Sequence, residues 1–327
     1  MKSNRIWTRW PKSRTTKCKF FRRPEHPFVR CRPHRTKPMK IPFLILVSTV
    51  LLTASPVRAE TVRYFGQTAQ SYQSTVPYGN NPASGRYADA DDTKIYYETY
   101  GTGKPVVVLH GGIVGSIAEM GQLIDRLAEN RRVIAVSTRG HGKSAAGTVP
   151  PGYPRKAADV AAVLKQENIS EPVDLIGFSD GAYTAYHFAA AYPEKTGKTV
   201  AIGAGVWKRG WRSFDMTLAD LQKTDAAYWA QQMKIRPRAN RTGQWLRQTT
   251  AYYNGVEVNT DLFAKIRTPV LLLAGEKDAN APLDTVIAAY KALPDARLGI
   301  IAGQPHSVLQ SNFAAAWAMI KPFLSER

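Results

Sequence analysis

The segment Val173-Asp-Leu-Ile-Gly-Phe-Ser-Asp-Gly-Ala182 contains the most specific pattern in the chain. Its first half is apolar and typical of a buried strand, and residues 180–191 follow a helical pattern. Between them, Gly177-Phe-Ser-Asp-Gly181 fits the G-x-S-x-G pattern of a nucleophile elbow, in which a serine lies on a tight strand-to-helix turn. Glycines on either side of Ser179 relieve the crowding in such a turn. The alternative is an ordinary glycine-rich turn with a helix-capping serine.

Apolar runs and helical patterns alternate along residues 86–327. A hairpin over 86–90 and 94–100 precedes six apolar runs predicted as strands, at 105–109, 132–136, 173–177, 199–202, 270–273 and 298–301. Helical patterns lie between them, at 116–129, 154–167, 180–192, 284–293 and 310–324. Aliphatic strands that alternate with helices indicate an α/β fold whose parallel sheet is covered on both faces. We expect a mostly parallel eight-stranded sheet.

One interval, residues 206–267, breaks this alternation and is predicted to be a short helical lid with helices near 217–233 and 241–252. It holds four of the seven tryptophans: Trp207, Trp211, Trp229 and Trp245. Each aromatic residue alone is more typical of packing, but the group suggests a cleft with apolar walls. Trp207 and Trp211 are therefore candidate substrate-binding residues.

The lid is also basic, with 11 Lys and Arg residues against 5 acidic ones. A solvated helical face is one interpretation of this charge. Attraction of anionic substrates is the other.

The candidate catalytic residues are Ser179, Asp278 and His306. A serine hydroxyl becomes a good nucleophile when a base removes its proton and an acid orients that base. Asp278 and His306 follow the last two predicted strands, and the carboxyl ends of parallel strands are where such a sheet presents its chemistry. Glu276 and Asp284 are rival acids, and a surface loop position is the alternative for His306.

A predicted oxyanion hole completes the site. The loop His110-Gly-Gly112 follows a predicted strand, and we expect the backbone N–H groups of Gly112 and Asp180 to point to the same place. We expect structural roles for His110, His141 and His187, because His306 is the better-placed base.

These motifs together resemble the α/β-hydrolase superfamily over about residues 86–324. They are His110-Gly-Gly, Arg139-Gly-His-Gly-Lys-Ser144, Gly177-Phe-Ser-Asp-Gly181, Gly275-Glu-Lys-Asp278 and His306, in that order. The elbow and the short lid are more specifically similar to the valacyclovir hydrolase-like branch. That resemblance implies ester hydrolysis, and it implies that Asp180, a candidate substrate-binding residue, favours substrates bearing an amine. Ser137 departs from the pattern, since many relatives have Asp at this position, which braces the loop.

Most of the charge of the chain lies before residue 60. The 327 residues contain 45 Lys and Arg against 25 Asp and Glu, a net charge of +20 that by itself suggests a nucleic-acid or membrane partner. Residues 1–59 contain 15 of the basic residues and one acid. Residues 1–38 are predicted to be a disordered basic extension, because they lack the apolar surface that folding requires. Both cysteines also lie there, so the rest of the chain can form neither disulfides nor thiolate metal sites.

Residues 39–59 are predicted to be a signal peptide with cleavage before Glu60. A positive start, a 13-residue apolar run and the small-x-small ending Val57-Arg-Ala59 fit this interpretation. The run is shorter than the roughly 20 residues of a transmembrane helix, although an uncleaved anchor stays an alternative. Met39 is an alternative start, because the signal peptide would be complete without residues 1–38. A nucleic-acid-binding arm is disfavoured, because the basic run precedes an export signal.

The expected protein is therefore a periplasmic or secreted serine hydrolase that acts on a small carboxylic ester or related acyl compound. Residues 60–85 form an N-terminal extended segment, and residues 86–327 form the hydrolase domain. The sequence contains no GxGxxG fingerprint, P-loop or clustered His and Cys ligands, so we expect no nucleotide or metal cofactor. We also expect no nucleic-acid partner and no stable membrane insertion after cleavage. Amide or peptide-terminal cleavage, C–C bond hydrolysis, cofactor-free perhydrolysis and a non-catalytic binding role stay open.

Overall fold

The computed structural model describes residues 60–326. The predicted basic extension at 1–38 and the predicted signal peptide at 39–59 lie outside the described residues. Eight strands form one sheet: β1 Gly85–Ala90, β2 Thr93–Tyr100, β3 Pro105–Leu109, β4 Arg132–Val136, β5 Val173–Phe178, β6 Thr196–Ile202, β7 Val270–Gly275 and β8 Ala296–Ile301. Within the described range, no helix is both long and apolar enough to cross a membrane.

The α-helices follow the predicted alternation. They are α1 Gly121–Ala128, α2 Tyr153–Gln166, α3 Asp180–Ala191, α4 Leu218–Thr224, α5 Ala226–Ile235, α6 Thr242–Gly255, α7 Thr260–Phe263, α8 Leu283–Ala292, α9 Val308–Ser311 and α10 Phe313–Ser325. Helices α4 to α7 lie between β6 and β7, within the interval 206–267 that we call the lid.

The strand order in the sheet is β1-β2-β4-β3-β5-β6-β7-β8. Strands β1 and β2 pair antiparallel, β2 pairs antiparallel with β4, and all later neighbours are parallel. The expected mostly parallel eight-stranded sheet is therefore confirmed. Because β3, β5, β7 and β8 are parallel, their carboxyl ends meet at one edge of the sheet, where the candidate site residues follow them.

Alternate residues of each central strand pack against opposite layers of helices. In β3, Val106 and Val108 belong to a core with α1 and α10, while Val107 and Leu109 belong to a core with α2 and α3. All five residues of β3 and all six of β5 are buried. Full burial of a Val, Leu or Ile side chain stabilises a fold by about 1.5–3 kcal/mol, so these strands form a rigid base for the loops that follow them.

Some predicted helices are divided by capping residues. The stretch predicted at 217–233 is two helices, because the Asp225 side chain accepts a hydrogen bond from Tyr228 N at 3.0 Å and begins α5. Likewise, Asn312 accepts from Ala315 N at 3.2 Å and separates α9 from α10 within the stretch predicted at 310–324. The helix predicted at 116–129 begins as the 3₁₀ turn Ile117–Met120.

The segment 60–84 contains no helix or strand, yet it packs against the lid and the sheet. Arg63 forms an ion pair with Asp225 at 3.2 Å, and the Phe65 ring meets Tyr228 edge to face, with centroids 5.5 Å apart. Near the sheet, the buried Glu98 carboxylate accepts the N–H groups of Gly79 and Asn81, each at 2.9 Å. The segment is thus attached to the lid near its start and to the sheet near its end.

The Glu98 carboxylate also accepts the hydroxyl groups of Tyr96 and Tyr100, at 2.7 and 2.8 Å. Glutamine offers a single acceptor oxygen, so Glu98→Gln would leave buried donors without a partner. We expect a loss of about 2–3 kcal/mol of unfolding free energy, measured by urea denaturation. The control is Glu129→Gln at the exposed pair with Arg126, where we expect little change. Equal effects of the two substitutions would contradict the role of Glu98.

Candidate active site

Ser179 lies between β5 and α3 with backbone angles φ 53° and ψ −113°, which non-glycine residues rarely adopt. Its N–H donates to Ile202 O at 2.7 Å, which ties the turn to β6. A Cβ at Gly177 would overlap the Gly181 backbone, and a Cβ at Gly181 would overlap Leu109. The two glycines therefore permit the close approach of strand, turn and helix that exposes the serine.

The structure brings Ser179, His306 and Asp278 together. His306 Nε2 lies 2.9 Å from Ser179 Oγ, and His306 Nδ1 lies 2.7 Å from Asp278 Oδ2. The other Asp278 oxygen accepts the N–H groups of Asn280 and Ala281, each at 2.8 Å, which fixes the direction of the carboxylate. Asp278 is 4% exposed, so this chain of hydrogen bonds runs from the buried side of the loop to the serine hydroxyl.

The rival acids lie elsewhere. Glu276 accepts the N–H of Gly303 at 2.7 Å and so braces the loop after β8. Asp284 lies in the first turn of α8 and is exposed. Neither carboxylate is hydrogen-bonded to His306 in the part of the chain that the structure describes.

Gly112 lies directly against Asp180. A Cβ at Gly112 would come within 3.0 Å of the Asp180 Cβ and would overlap the Tyr253 hydroxyl, so no side chain fits there. Within residues 60–326, no backbone or side-chain acceptor pairs with the N–H of Gly112 or of Asp180. These are the two N–H groups that the sequence predicts for the oxyanion hole.

The loop after β3 is held by the half-buried Glu119, which the sequence analysis missed, and by the buried His110, for which it predicted a structural role. The Glu119 carboxylate accepts the N–H of Gly111 at 2.5 Å, and burial raises the pKa of Glu119 to about 8. Burial lowers the pKa of His110 to about 4, and its Nε2 accepts the N–H of Thr138 at 3.0 Å. His110 therefore acts as a neutral hydrogen-bonding group within the loops.

His141, His187 and Ser137 also lie in packed surroundings. Burial lowers the pKa of His141 well below its usual value and that of His187 to about 4. Ser137 Oγ donates to His141 O at 2.9 Å. The serine thus braces the Arg139-Gly-His-Gly loop.

The side chain of Asp180 does not have the surroundings that the resemblance implied. Its Oδ2 forms an ion pair with Lys156 Nζ at 2.5 Å, and its Oδ1 accepts the Tyr253 hydroxyl at 2.5 Å. Lys156 and Asp180 are 3% and 4% exposed, so the carboxylate charge is already neutralised by a buried ammonium. This corrects the expectation that Asp180 receives a substrate amine. Lys156 lies on the apolar face of α2, one turn before Val160. A lysine in that position is the feature of the sequence that could have indicated a buried ion pair.

A cavity of about 310 Å³ opens at Ser179 and His306. Its walls are mostly apolar and come from the lid and from the segment before β1; they include Phe65, Trp207, Phe214, Leu221 and Tyr253. Trp207 lines the cavity as expected. Trp211 does not: it is 46% exposed and lines a neighbouring cavity, because its loop turns outward after Trp207. Phe65 comes from an irregular segment distant in sequence, and no pattern pointed to it.

The family model described as the Alpha/beta hydrolase family matches residues 106–318. The chain belongs to the alpha/beta hydrolase family. The expected superfamily is thereby confirmed, whereas the valacyclovir hydrolase-like branch stays a prediction. Membership of this family supports a hydrolase that acts on a small molecule.

Relatives within the family carry different activities in their names. A pimeloyl-[acyl-carrier protein] methyl ester esterase of Chromobacterium violaceum is 29% identical over 231 residues, which cover 62% of this chain and 87% of the relative. A non-heme haloperoxidase of Rhodococcus erythropolis is 26% identical over 254 residues, covering 68% and 93%. A solved esterase from Exiguobacterium antarcticum superposes with a TM-score of 0.62 at 22% identity, covering 74% of this chain and all of that one, which shows the shared fold.

Among residues 60–326, no three or more His, Cys, Asp and Glu side chains are grouped to hold a metal ion.

We expect Lys156→Met to destabilise the fold by about 3–5 kcal/mol, because it leaves the buried Asp180 carboxylate without its partner. Adding Asp180→Asn should restore part of that loss, since the amide carries no charge and its oxygen still accepts from Tyr253. Urea denaturation of the two variants measures both effects. Lys94→Met, at the exposed pair with Asp89, is the control and should change stability far less. A double variant no more stable than Lys156→Met would contradict the pairing.

Proposed function

We propose that the protein is an exported serine hydrolase that cleaves a carboxylic ester, or a related acyl substrate, through an acyl-enzyme. The observation that carries this proposal is the hydrogen-bonded series Asp278, His306 and Ser179, with distances of 2.7 and 2.9 Å. The serine opens into a largely apolar cavity, which suits the hydrocarbon part of an acyl group. The name of the esterase relative from Chromobacterium violaceum agrees with this chemistry but belongs to that protein.

In the proposed mechanism, His306 Nε2 takes the hydroxyl proton as Ser179 Oγ attacks the ester carbonyl. Asp278 holds the imidazole in the required tautomer and stabilises the imidazolium that forms. The N–H groups of Gly112 and Asp180 stabilise the negative charge on the tetrahedral oxygen. His306 returns the proton to the leaving alcohol, and then activates the water that releases the acyl group and regenerates Ser179.

The free N–H groups and the strained serine support this assignment physically. Loss of one hydrogen-bond donor from an oxyanion hole lowers kcat by on the order of 10² or more. The positions of these backbone N–H groups therefore affect the rate as much as a catalytic side chain can. Ser179 and Gly112 also line the same cavity, as a shared site for the tetrahedral centre requires.

We expect Ser179→Ala to lower kcat for a short-chain aryl ester by about 10⁴-fold or more, because the nucleophile is lost. A fluorophosphonate probe should label the wild-type protein and fail to label this variant. Ser170→Ala is the matched control, since Ser170 is exposed and precedes the opposite end of β5. Full activity in Ser179→Ala would overturn the assignment.

An ester and amide panel on the wild type then separates esterase from amidase, C–C hydrolase and perhydrolase activities.

The export part of the proposal rests on residues 39–59, and its test is the start of the mature chain. We expect N-terminal sequencing of protein recovered from the periplasm or medium to begin at Glu60. Ala59→Phe places a bulky side chain at the cleavage position and should cause the precursor to accumulate. Exported protein that begins at Met1 or Met39 would contradict this cleavage.

A further inference from the structure

Arg212 lies in the wall of the cavity at Ser179. Its guanidinium carbon is 3.6 Å from the centre of the Trp207 ring and 5.6 Å from that of Phe214. It also lines a second cavity of about 200 Å³, which shares Tyr183 and Asn280 with the first. The guanidinium therefore lies where the two cavities adjoin.

The loop that carries Arg212 is held in place although it contains no helix or strand. Trp207 pairs with Val258 through two backbone hydrogen bonds of 2.8 Å, and Phe214 N donates to Asn254 Oδ1 at 2.8 Å. Asn254 Nδ2 donates in turn to Phe214 O at 3.0 Å. These contacts fix the loop on both sides of Arg212.

The charge of Arg212 has no counter-charge in the cavity. Within residues 60–326, no carboxylate oxygen lies within 4.0 Å of its guanidinium nitrogens. Three carboxyl groups line the two cavities. Asp180 pairs with Lys156 and Glu119 accepts the Gly111 N–H, whereas the exposed Asp284 lines the second cavity and forms no ion pair with Arg212 within 4.0 Å. Burial raises the pKa of Glu119 to about 8, so this carboxyl group is largely neutral at pH 7. Arg212 is therefore the one Lys or Arg among the described residues that line the first cavity, and no carboxylate pairs with it there.

A guanidinium stacked on an aromatic ring keeps its edge free for hydrogen bonds. Its planar fork of N–H donors matches a carboxylate, and its weak hydration makes it the cation best suited to a partly apolar wall. We propose that Arg212 binds a carboxylate group of the substrate, so that the protein acts on esters that carry a free carboxylate in addition to the scissile ester bond. This inference rests on the proposed function.

A carboxylate site at Arg212 also decides between two conflicting expectations from the sequence. The basic lid suggested anionic substrates, whereas the resemblance at Asp180 suggested amines. Since Lys156 neutralises Asp180, an ammonium group in this cavity would be repelled by Arg212 without gaining Asp180 as a partner. Amine-bearing esters should therefore be the poorest substrates of a matched series.

The test compares three methyl esters of equal length that differ at the far end: monomethyl adipate, methyl adipamate and methyl aminohexanoate. The monomethyl esters of glutarate and pimelate extend the series to other lengths. The acetoxybutyrate and acetoxybutanamide pair places the charge in the alcohol part instead. Methanol or acetate release gives kcat/KM for each. We expect wild type to favour at least one carboxylate ester over its amide by about 10- to 100-fold, as for a charge-assisted hydrogen bond.

In Arg212→Gln the carboxylate-to-amide ratio should fall towards one, while Arg212→Lys should keep part of it, because a charge remains. Arg209→Gln is the matched control, since Arg209 is three residues earlier, exposed and outside both cavities. It should keep the wild-type ratio. Thermal unfolding of each variant checks that it is folded. A wild-type ratio of one, or a ratio that Arg212→Gln leaves unchanged, overturns the inference.

Binding gives a readout that does not depend on turnover. Calorimetry of adipate with Ser179→Ala protein should show binding that is lost when Arg212→Gln is added. If Ser179 is labelled by fluorophosphonate but adipate does not bind and the ratios are equal, the inference fails and the proposed function stands. If no ester is cleaved and Ser179 is not labelled, the proposed function fails, and loss of adipate binding in Arg212→Gln still supports the carboxylate site.

Discussion

The positive-φ backbone of Ser179 is the constraint on which the rest of the site depends. A non-glycine residue held in such a conformation costs on the order of 1–3 kcal/mol, so it persists only where the surroundings impose it. Here the buried strand β5 and the helix α3 fix both ends of the turn, and Gly177 and Gly181 allow them to approach. The same turn places Asp180, the residue that supplies the second predicted oxyanion N–H, against Gly112. The geometry of the serine and of the predicted oxyanion hole thus has one common origin.

Electrostatics around this turn are arranged so that few charges face the cavity. Lys156 and Asp180 cancel each other in a nearly dry environment, and such a pair stabilises only while both partners are present. Glu119 is hydrogen-bonded to the loop and its pKa is raised by burial, which removes a second negative charge near neutral pH. The low polarity that these arrangements leave would strengthen any remaining interaction with a substrate.

Much of the fold could be predicted from the sequence, because aliphatic runs report buried strands directly. The elbow and the residues after β7 and β8 could be found because they follow strands whose carboxyl ends share an edge. The partner of Asp180 was missed, since only the packing of α2 against α3 brings Lys156 to it. The division of the lid helix at Asp225 was also missed, because the helical pattern continues through this capping residue. Phe65 was missed because its segment has no periodicity that would place it at the cavity.

The structure changes the interpretation of the lid's basic charge more than that of any other feature of the sequence. The basic excess of the lid looked like a property of a whole helical face, yet only one of its cations, Arg212, lines the cavity at Ser179. The candidate catalytic groups follow rigid strands, whereas Arg212 lies in an irregular loop fastened by Trp207 and Phe214. Loops tolerate substitution better than strands do, so such a division lets the charge preference of the pocket change while the reacting groups keep their geometry. We therefore expect substrate choice in this fold to reside in the stretch between β6 and α4.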